Sequence, residues 1–261
     1  MAIIDARYFK DYRQKLGFAS QSEAKIYFGA KDLTPAVDFD YIELLNERLC
    51  GIIFRINEVV VEEIKADNLD IFYSDYITHI YSILGENNIF ANLNNQGRRP
   101  EEVYFSWMRG FLISSYFIKA LGIIFDVDPS AIDSIGDDDF KNPETFRRTP
   151  KADLQVTLKN STILRIEIQS GFQGLNDIKQ HKILEAKRIK REAGLSSIII
   201  HFDLYNGQVA FLEADKVNDS SLNWITRQQM EGQTVFNIDQ NFFFWKLTEK
   251  PPKFNEFCNS I

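Results

Sequence analysis

ADLQVTL at residues 152–158 and ILRIEIQ at residues 163–169 are the two stretches that decide the fold. In both of them apolar and polar residues alternate, which is typical of strands that bury only one face. The four residues that join them, Lys159 to Thr162, are all polar. The sequence therefore predicts a β-hairpin with one apolar face toward the core and one polar face.

The polar face of this hairpin carries Asp153, Glu167 and Gln169. If both apolar faces meet one core, facing residues must have numbers that add to an even value, because side chains alternate along a strand. Asp153 then faces either Glu167 or Gln169. A two-residue turn at Asn160-Ser161 would separate the two carboxylates, so we predict a three-residue or bulged loop.

Two carboxylates on one small patch repel each other unless a cation lies between them. Mg²⁺ suits such a site, because it prefers oxygen ligands in small number. The alternative is a solvated strand face, on which Lys151 and Arg165 pair with the two acids as a surface salt-bridge ladder. The residues alone leave both interpretations open.

The composition is that of an ordinary globular protein. A chain of 261 residues, 44% hydrophobic, is long enough to bury one large core. We predict one domain, with a helical part at about 1–125, a core at about 126–215 and a sheet and helix extension at about 216–261. We expect no export signal and no membrane span. The two cysteines lie far apart, so we expect a cytoplasmic protein with reduced thiols.

The basic residues are concentrated around the hairpin. Residues 141–191 contain twelve Lys and Arg against five acids, a net charge of +7, whereas the rest of the chain carries −14. A basic segment inside an acidic chain favours a polyanionic partner. For residues 187–191 alone, a solvated helix face is an equal alternative.

Hydrophobic periodicity predicts the remaining elements. Helices are expected at about 5–16, 19–30, 38–65, 69–84, 100–121, 175–193 and 219–230, strands at 197–204 and 208–213, and further strands at 233–238 and 241–247. The order of helix, strand pair, helix and strand predicts an α/β (α+β) fold. Its central mixed sheet is flanked by helices, and its N-terminal half is mainly helical.

Amide and guanidinium side chains, which read base edges in DNA, concentrate in the predicted loops. The candidate DNA contacts are Asn94, Asn95, Gln96, Arg98, Arg99, Arg147, Arg148 and Gln173. For any single residue of the 86–100 loop, a solvated connector is the commoner role.

The hairpin and the helix after it resemble the PD-(D/E)xK nuclease superfamily, in particular type II restriction endonucleases. Pro150-Lys151-Ala152-Asp153 stands where the superfamily has its PD element. Glu167-Ile168-Gln169 stands where it has (D/E)xK, in the Glu-x-Gln variant that some restriction enzymes carry. The resemblance covers about residues 150–205 and implies a restriction-endonuclease-like core.

The resemblance also implies the chemistry. Asp153 and Glu167 would bind Mg²⁺ with the Ile168 carbonyl as a further ligand, and together with Gln169 they would be the catalytic residues. The metal would activate a water for in-line attack on a phosphodiester of double-stranded DNA, which leaves 5′-phosphate ends. A symmetric recognition site implies a homodimer. A cognate DNA methyltransferase would belong to the same system without forming a stable complex.

Gln169 departs from the pattern of the superfamily, because an amide cannot supply the positive charge of a lysine. The candidates for that charge are Lys151, Lys179, His181 and Lys182. Glu101 or Glu102 stands where some relatives place an auxiliary acid, although acids in the first turn also stabilise the helix dipole.

Two other functions remain open. One is a repair or recombination nuclease of the same superfamily, which reads the structure of DNA rather than its sequence. The other is a DNA-binding protein on this fold without catalysis. Zinc hydrolysis is disfavoured because the three histidines lack paired metal spacing, and no phosphate-binding glycine loop is present.

Overall fold

A computed structural model describes residues 5–30, 32–93, 98–136, 152–174, 176–227 and 232–258. The first part is helical and comprises α1 (Ala6–Leu16), α2 (Gln21–Phe28), α3 (Phe39–Val59), α4 (Leu69–Tyr73), α5 (His79–Glu86), α6 (Pro100–Tyr116) and α7 (Ile118–Phe125). The second part comprises β1 (Ile132–Ser134), β2 (Leu154–Thr157), β3 (Ile163–Gly171), β4 (Asp177–Lys179), α8 (Gln180–Ala193), β5 (Ser196–Asp203), β6 (Gln208–Glu213), β7 (Ile225–Arg227), β8 (Gln233–Asn237), β9 (Phe243–Lys246) and α9 (Phe254–Phe257).

The strands form two sheets. The larger one has the order β1-β2-β3-β5-β6-β9, and a smaller one has the order β4-β8-β7. In the larger sheet β3 and β5 are parallel, whereas the other neighbouring strands run antiparallel. The predicted mixed α/β architecture with a mixed central sheet is therefore confirmed.

The central sheet is covered on both faces. On one face Ile198, Ile200 and Phe202 of β5 pack against the helical part, where the Phe117 ring stacks on Phe202 with 4.1 Å between ring centroids. On the other face Ile199 packs against α8 and the smaller sheet. Burial on both faces explains why β5 reads as a continuous apolar run at Ile198–Ile200 rather than as an alternating strand.

The hairpin of β2 and β3 has the predicted register. Leu154 faces Ile166 and Val156 faces Leu164. The pairing ends at Leu154 and Ile166, and extending its register by one residue puts Asp153 beside Glu167. The N–H of Leu158 donates to the Thr162 carbonyl at 2.8 Å, which leaves the three-residue loop 159–161. Its last residue, Ser161, has a φ of 66°. The expected three-residue loop is therefore confirmed, and it keeps the two carboxylates on one face.

The region predicted as a helix at 219–230 contains no α-helix in its described part. Asp219–Ser221 forms a single 3₁₀ turn, and Ile225–Arg227 is a strand because it pairs with β8. The helix predicted at 175–193 begins at Gln180, since Asp177–Lys179 pairs with the same strand. In both places pairing with β8 overrides the local helical pattern, although this partner is distant in sequence only for Asp177–Lys179.

The helix predicted at 100–121 is broken at Phe117 into α6 and α7. Among the described residues, no single helix combines the length and the apolar character that a membrane crossing requires. The two helices α6 and α7 meet that requirement only as a pair, and they are bent by 42° relative to each other.

Candidate active site

Asp153 is held in place by the strands on both sides of it. Its Oδ2 accepts a hydrogen bond from the backbone N–H of Ile168 at 2.7 Å. Its carbonyl accepts from the backbone N–H groups of Ile135 and Gly136 at 3.1 and 3.2 Å. Because one residue is held through both its side chain and its backbone, the position of the Asp153 carboxylate relative to β3 is fixed.

Glu167 faces Asp153 and forms an ion pair with α8. Lys182 Nζ lies 2.6 Å from Glu167 Oε1, and both side chains are mostly buried. Burial and then repulsion from Asp153 raise the pKa of Glu167 to about 8, although Lys182 and Lys179 lower it. Burial and the neighbouring carboxylate therefore disfavour the ionised form of Glu167, and the two lysines offset this only in part.

The carboxylate pair adjoins a cleft of about 580 Å³, which we call the site cleft. The side chains that give it chemical character are Glu167, Gln169, Lys179, Lys182, His201 and Arg227. One wall is fixed by a bidentate ion pair, in which Arg227 Nε and a terminal nitrogen lie 2.9 and 3.3 Å from the Asp177 carboxylate. The cleft thus places an acid, an amide, an imidazole and cationic groups around one space.

The donor set suits a magnesium ion. Among the described residues no group of three or more His, Cys, Asp or Glu side chains could hold a metal. Mg²⁺ does not need such a group, because it binds through one or two carboxylates and keeps several waters. Asp153, Glu167 and the Ile168 carbonyl are the residues that would hold it, and a cation there would relieve the repulsion that raises the pKa of Glu167.

The structure brings together only part of the predicted site. Gln173 and Lys179 line the site cleft beside Gln169 and Lys182. His181 lies on α8 but is exposed and does not line the cleft. Among the candidates for the missing positive charge, Lys182 contacts the carboxylate pair directly, through Glu167.

Glu101 has a structural position away from the site cleft. Its fully buried carboxylate accepts a hydrogen bond from the backbone N–H of Asp38 at 2.7 Å, and Arg99 Nε lies 3.3 Å from its second oxygen. Asp38 is the N-cap of α3, so Glu101 connects the beginnings of α3 and α6. Glu102 is exposed beside it.

Arg98 and Arg99, two of the candidate DNA contacts, do not line the site cleft. Arg98 donates to the Glu102 carbonyl at 3.2 Å, and the Arg99 guanidinium lies 5.5 Å from the Tyr41 ring centroid. Both of them are exposed. The other candidate DNA contacts lie outside the described residues, namely Asn94, Asn95, Gln96, Arg147 and Arg148. So does Lys151, a candidate for the missing positive charge.

Sequence reasoning missed His201 and Arg227. His201 lies opposite Gln169 in the parallel pairing of β3 and β5. Burial lowers the pKa of His201 to about 4 despite the carboxylates of Asp203 and Asp177, so the imidazole is neutral. The alternation of β5 contained the signal, because His201 and Asp203 are polar positions in an otherwise apolar strand. Arg227 could not be placed from the sequence, because it lies on a strand of the smaller sheet, which was not predicted.

No protein-family model, no curated protein and no solved structure matches this chain.

Proposed function

We propose that this protein is a Mg²⁺-dependent endonuclease that hydrolyses phosphodiester bonds of double-stranded DNA, in the manner of a type II restriction enzyme. The observation that carries the proposal is the carboxylate pair. Asp153 stands one residue before β2, next to Glu167 by extension of the hairpin register, and its charge acts on Glu167. The ammonium group of Lys182 contacts Glu167 at 2.6 Å. The order of hairpin, helix α8 and parallel strand β5 further supports a restriction-endonuclease-like core.

Each residue has a role in the proposed reaction. Asp153, Glu167 and the Ile168 carbonyl would hold Mg²⁺, which would supply charge stabilisation at the phosphate and an activated water. Lys182 supplies the positive charge that Gln169 lacks, because its ammonium lies on the carboxylate pair. Gln169 lines the site cleft and can exchange hydrogen bonds with the attacking water.

We further propose that the chain acts as a homodimer. Of the residues described in α1 and α2, none is buried, and these helices expose large aromatic groups. Tyr27 and Phe28 are 64% and 70% exposed. An apolar surface of this kind is typical of an interface between subunits, and two active sites are needed to cut both strands of a symmetric site. Such an enzyme would act in the cytoplasm beside a cognate DNA methyltransferase, without a stable complex between them.

The two alternatives differ from this proposal in what the protein does to DNA. A repair or recombination nuclease of the same superfamily would cut at structures rather than at sequences. A DNA-binding protein without catalysis would not need two buried carboxylates with a lysine beside them. The contact between Lys182 and Glu167 therefore favours a catalytic protein.

The test is a cleavage assay with purified protein, plasmid DNA and Mg²⁺. Asp153→Asn and Glu167→Gln keep the shape of each side chain and remove its charge. We expect discrete fragments from the wild type and a loss of at least about 100-fold in both variants, because even indirect partners of metal ligands typically contribute 10- to 100-fold.

The matched control is Asp133→Asn. Asp133 is an exposed carboxylate of β1, the strand that pairs with β2, and it does not line the site cleft. This variant should cleave as the wild type does. Random nicking would favour the repair nuclease, and binding without cleavage in the presence of Mg²⁺ would exclude an enzyme.

A further inference from the structure

A chain of buried polar groups ends beside Gln169, and it begins at Asp203. The Asp203 carboxylate accepts hydrogen bonds from the backbone N–H groups of Tyr205 and Asn206, both at 3.2 Å. It also accepts from the side-chain amides of Asn206 and Gln208 at 2.7 and 3.1 Å. Burial opposes ionisation of Asp203, but these bonds outweigh burial and lower its pKa. Asp203 is therefore an ionised group that can only accept.

Because Asp203 can only accept, it determines which group donates in the next two hydrogen bonds, from Asn176 to Asp203 and between His201 and Asn176. Asn176 must turn its NH₂ group toward Asp203, and the distance from Nδ2 to Asp203 Oδ2 is 3.4 Å. Its Oδ1 then faces His201, 2.8 Å from Nε2. Because Oδ1 can only accept, the proton of the neutral imidazole must be on Nε2. The other ring nitrogen, Nδ1, consequently carries a lone pair.

His201 Nδ1 is a buried acceptor in need of a donor. It has no hydrogen-bond partner among the described residues. Leaving a buried polar atom without a hydrogen bond destabilises the fold. Gln169 is the cross-strand neighbour of His201 in the parallel pair, so both side chains project from the same face of the sheet. Both line the site cleft.

We propose that His201 is a positioning residue for Gln169. Its Nδ1 accepts a hydrogen bond from the Gln169 amide, and this turns Gln169 Oε1 toward the site cleft. The bond forms by rotation about the terminal torsion of the glutamine, which is soft. The inference rests on the proposed function, in which Gln169 stands beside the reacting water. Gln169 Oε1 then accepts a hydrogen bond from the water. An amide that turns freely would present either its oxygen or its NH₂ group.

The first test is spectroscopic and does not depend on activity. In the ¹⁵N-labelled full-length chain, long-range ¹H–¹⁵N spectra distinguish the two tautomers of each histidine. We expect His201 to carry its proton on Nε2, with a hydrogen-bond coupling between Gln169 Nε2 and His201 Nδ1. A proton on Nδ1, or a Gln169 amide without this coupling both with and without Mg²⁺, would overturn the inference.

The second test is a double-mutant cycle on plasmid cleavage. His201→Gln keeps a group that reaches Asn176 but removes the acceptor at the position of Nδ1. In the wild-type background kcat should fall about 10-fold with little change in KM, which is the loss of about one hydrogen bond. In the Gln169→Ala background the same change should cost less than about twofold. Equal losses in both backgrounds would mean that His201 only supports the fold.

The two proposals can fail separately. If no form of the protein cleaves DNA while the Nε2 tautomer and the coupling are present, the proposed function fails and the positioning of Gln169 stands. If the wild type cleaves DNA while His201 carries its proton on Nδ1, the function stands and the positioning is excluded.

Discussion

Glu167 is a carboxylate that its surroundings prevent from ionising easily. Burial and Asp153 raise its pKa to about 8. Mg²⁺ requires the ionised form, so below this pH the metal must displace a proton. We therefore expect the affinity for Mg²⁺ to rise with pH up to about 8.

Calorimetric titration of Mg²⁺ at pH 7, in buffers with different ionisation enthalpies, measures this proton. We expect the release of about one proton per metal bound. Glu167→Gln should abolish the release. Metal binding without any transfer of protons to the buffer would show that Glu167 is already ionised or is not a ligand.

His201 makes stability depend on pH in a direction that can be derived. Its pKa is 6.5 in an ordinary environment and about 4 in the folded chain. Between these values the unfolded chain binds a proton that the folded chain does not, so the free energy of unfolding falls as the pH falls. From pH 7 to pH 5 the loss from this residue is roughly 2 kcal/mol.

Urea denaturation at both pH values measures this loss. His201→Gln should remove that part of the dependence, because glutamine does not titrate. The control is His181→Gln, which changes an exposed histidine and should retain most of the wild-type loss. An unchanged pH dependence in His201→Gln would mean that the buried imidazole does not contribute it.

At the scale of elements, the loop between β2 and β3 contains a strained residue. Ser161 has a φ of 66°, a conformation that costs a residue with a Cβ roughly 1 kcal/mol and glycine almost nothing. We expect Ser161→Gly to raise the free energy of unfolding by roughly 0.5–1 kcal/mol.

The neighbouring Asn160→Gly is the control for this prediction. Asn160 Oδ1 accepts a hydrogen bond from the Thr162 backbone N–H at 3.0 Å. Loss of this hydrogen bond should lower the free energy of unfolding. Glycine should therefore stabilise the protein at position 161 and destabilise it at position 160. Denaturant midpoints measure both, and a destabilised Ser161→Gly would contradict the assigned loop.

Helix α8 carries Lys182, whose ammonium group is the protein cation of the proposed site. Lys182→Gln should lower the rate of cleavage about 10-fold or more at neutral pH, because Glu167 loses its charge partner and its pKa rises further. Lys182→Arg should restore part of the rate. Lys187→Gln, a change on the same helix outside the site cleft, should have little effect. A Lys182→Gln enzyme with more than half of the wild-type rate would exclude this role.

The elements differ in how far the sequence predicts them. The hairpin was predictable in register and loop length, because strict alternation leaves one arrangement that buries both apolar faces. The smaller sheet was not predictable, because β4 and β7 have three residues each and form only through pairing with β8. Short strands of this kind carry little local signal.

The candidate site divides in the same way. Asp153 and Glu167 follow from the parity of one hairpin. Lys182 and His201 depend on where α8 and β5 lie in space, which requires the parallel pairing of β3 with β5. The residue types were visible in the sequence, but their proximity was not.

At the scale of the whole molecule, the exposed aromatic groups of α1 and α2 predict the oligomeric state. We expect the wild type to be a dimer in analytical ultracentrifugation and to convert supercoiled plasmid directly to linear DNA. Changing Tyr27 and Phe28 together to serine should yield monomers that mainly nick, because burial of two aromatic rings is lost.

Tyr205→Ser is the matched control for these changes. Tyr205 is 74% exposed and lies in the turn between β5 and β6 rather than in α1 or α2. This variant should remain dimeric. A wild-type chain that sediments as a monomer and still linearises plasmid would exclude an obligate dimer.

The loop 159–161 also restricts how this protein can diverge. Adding or removing one residue there would invert the alternation of one strand relative to the other, unless a bulge compensates. Changes of two residues would preserve it. Natural variants of this chain that keep the carboxylate pair should therefore show insertions and deletions of even length at this loop. In a library of variants that differ in the length of this loop, we expect those changed by an even number of residues to survive selection. Those changed by an odd number should be lost.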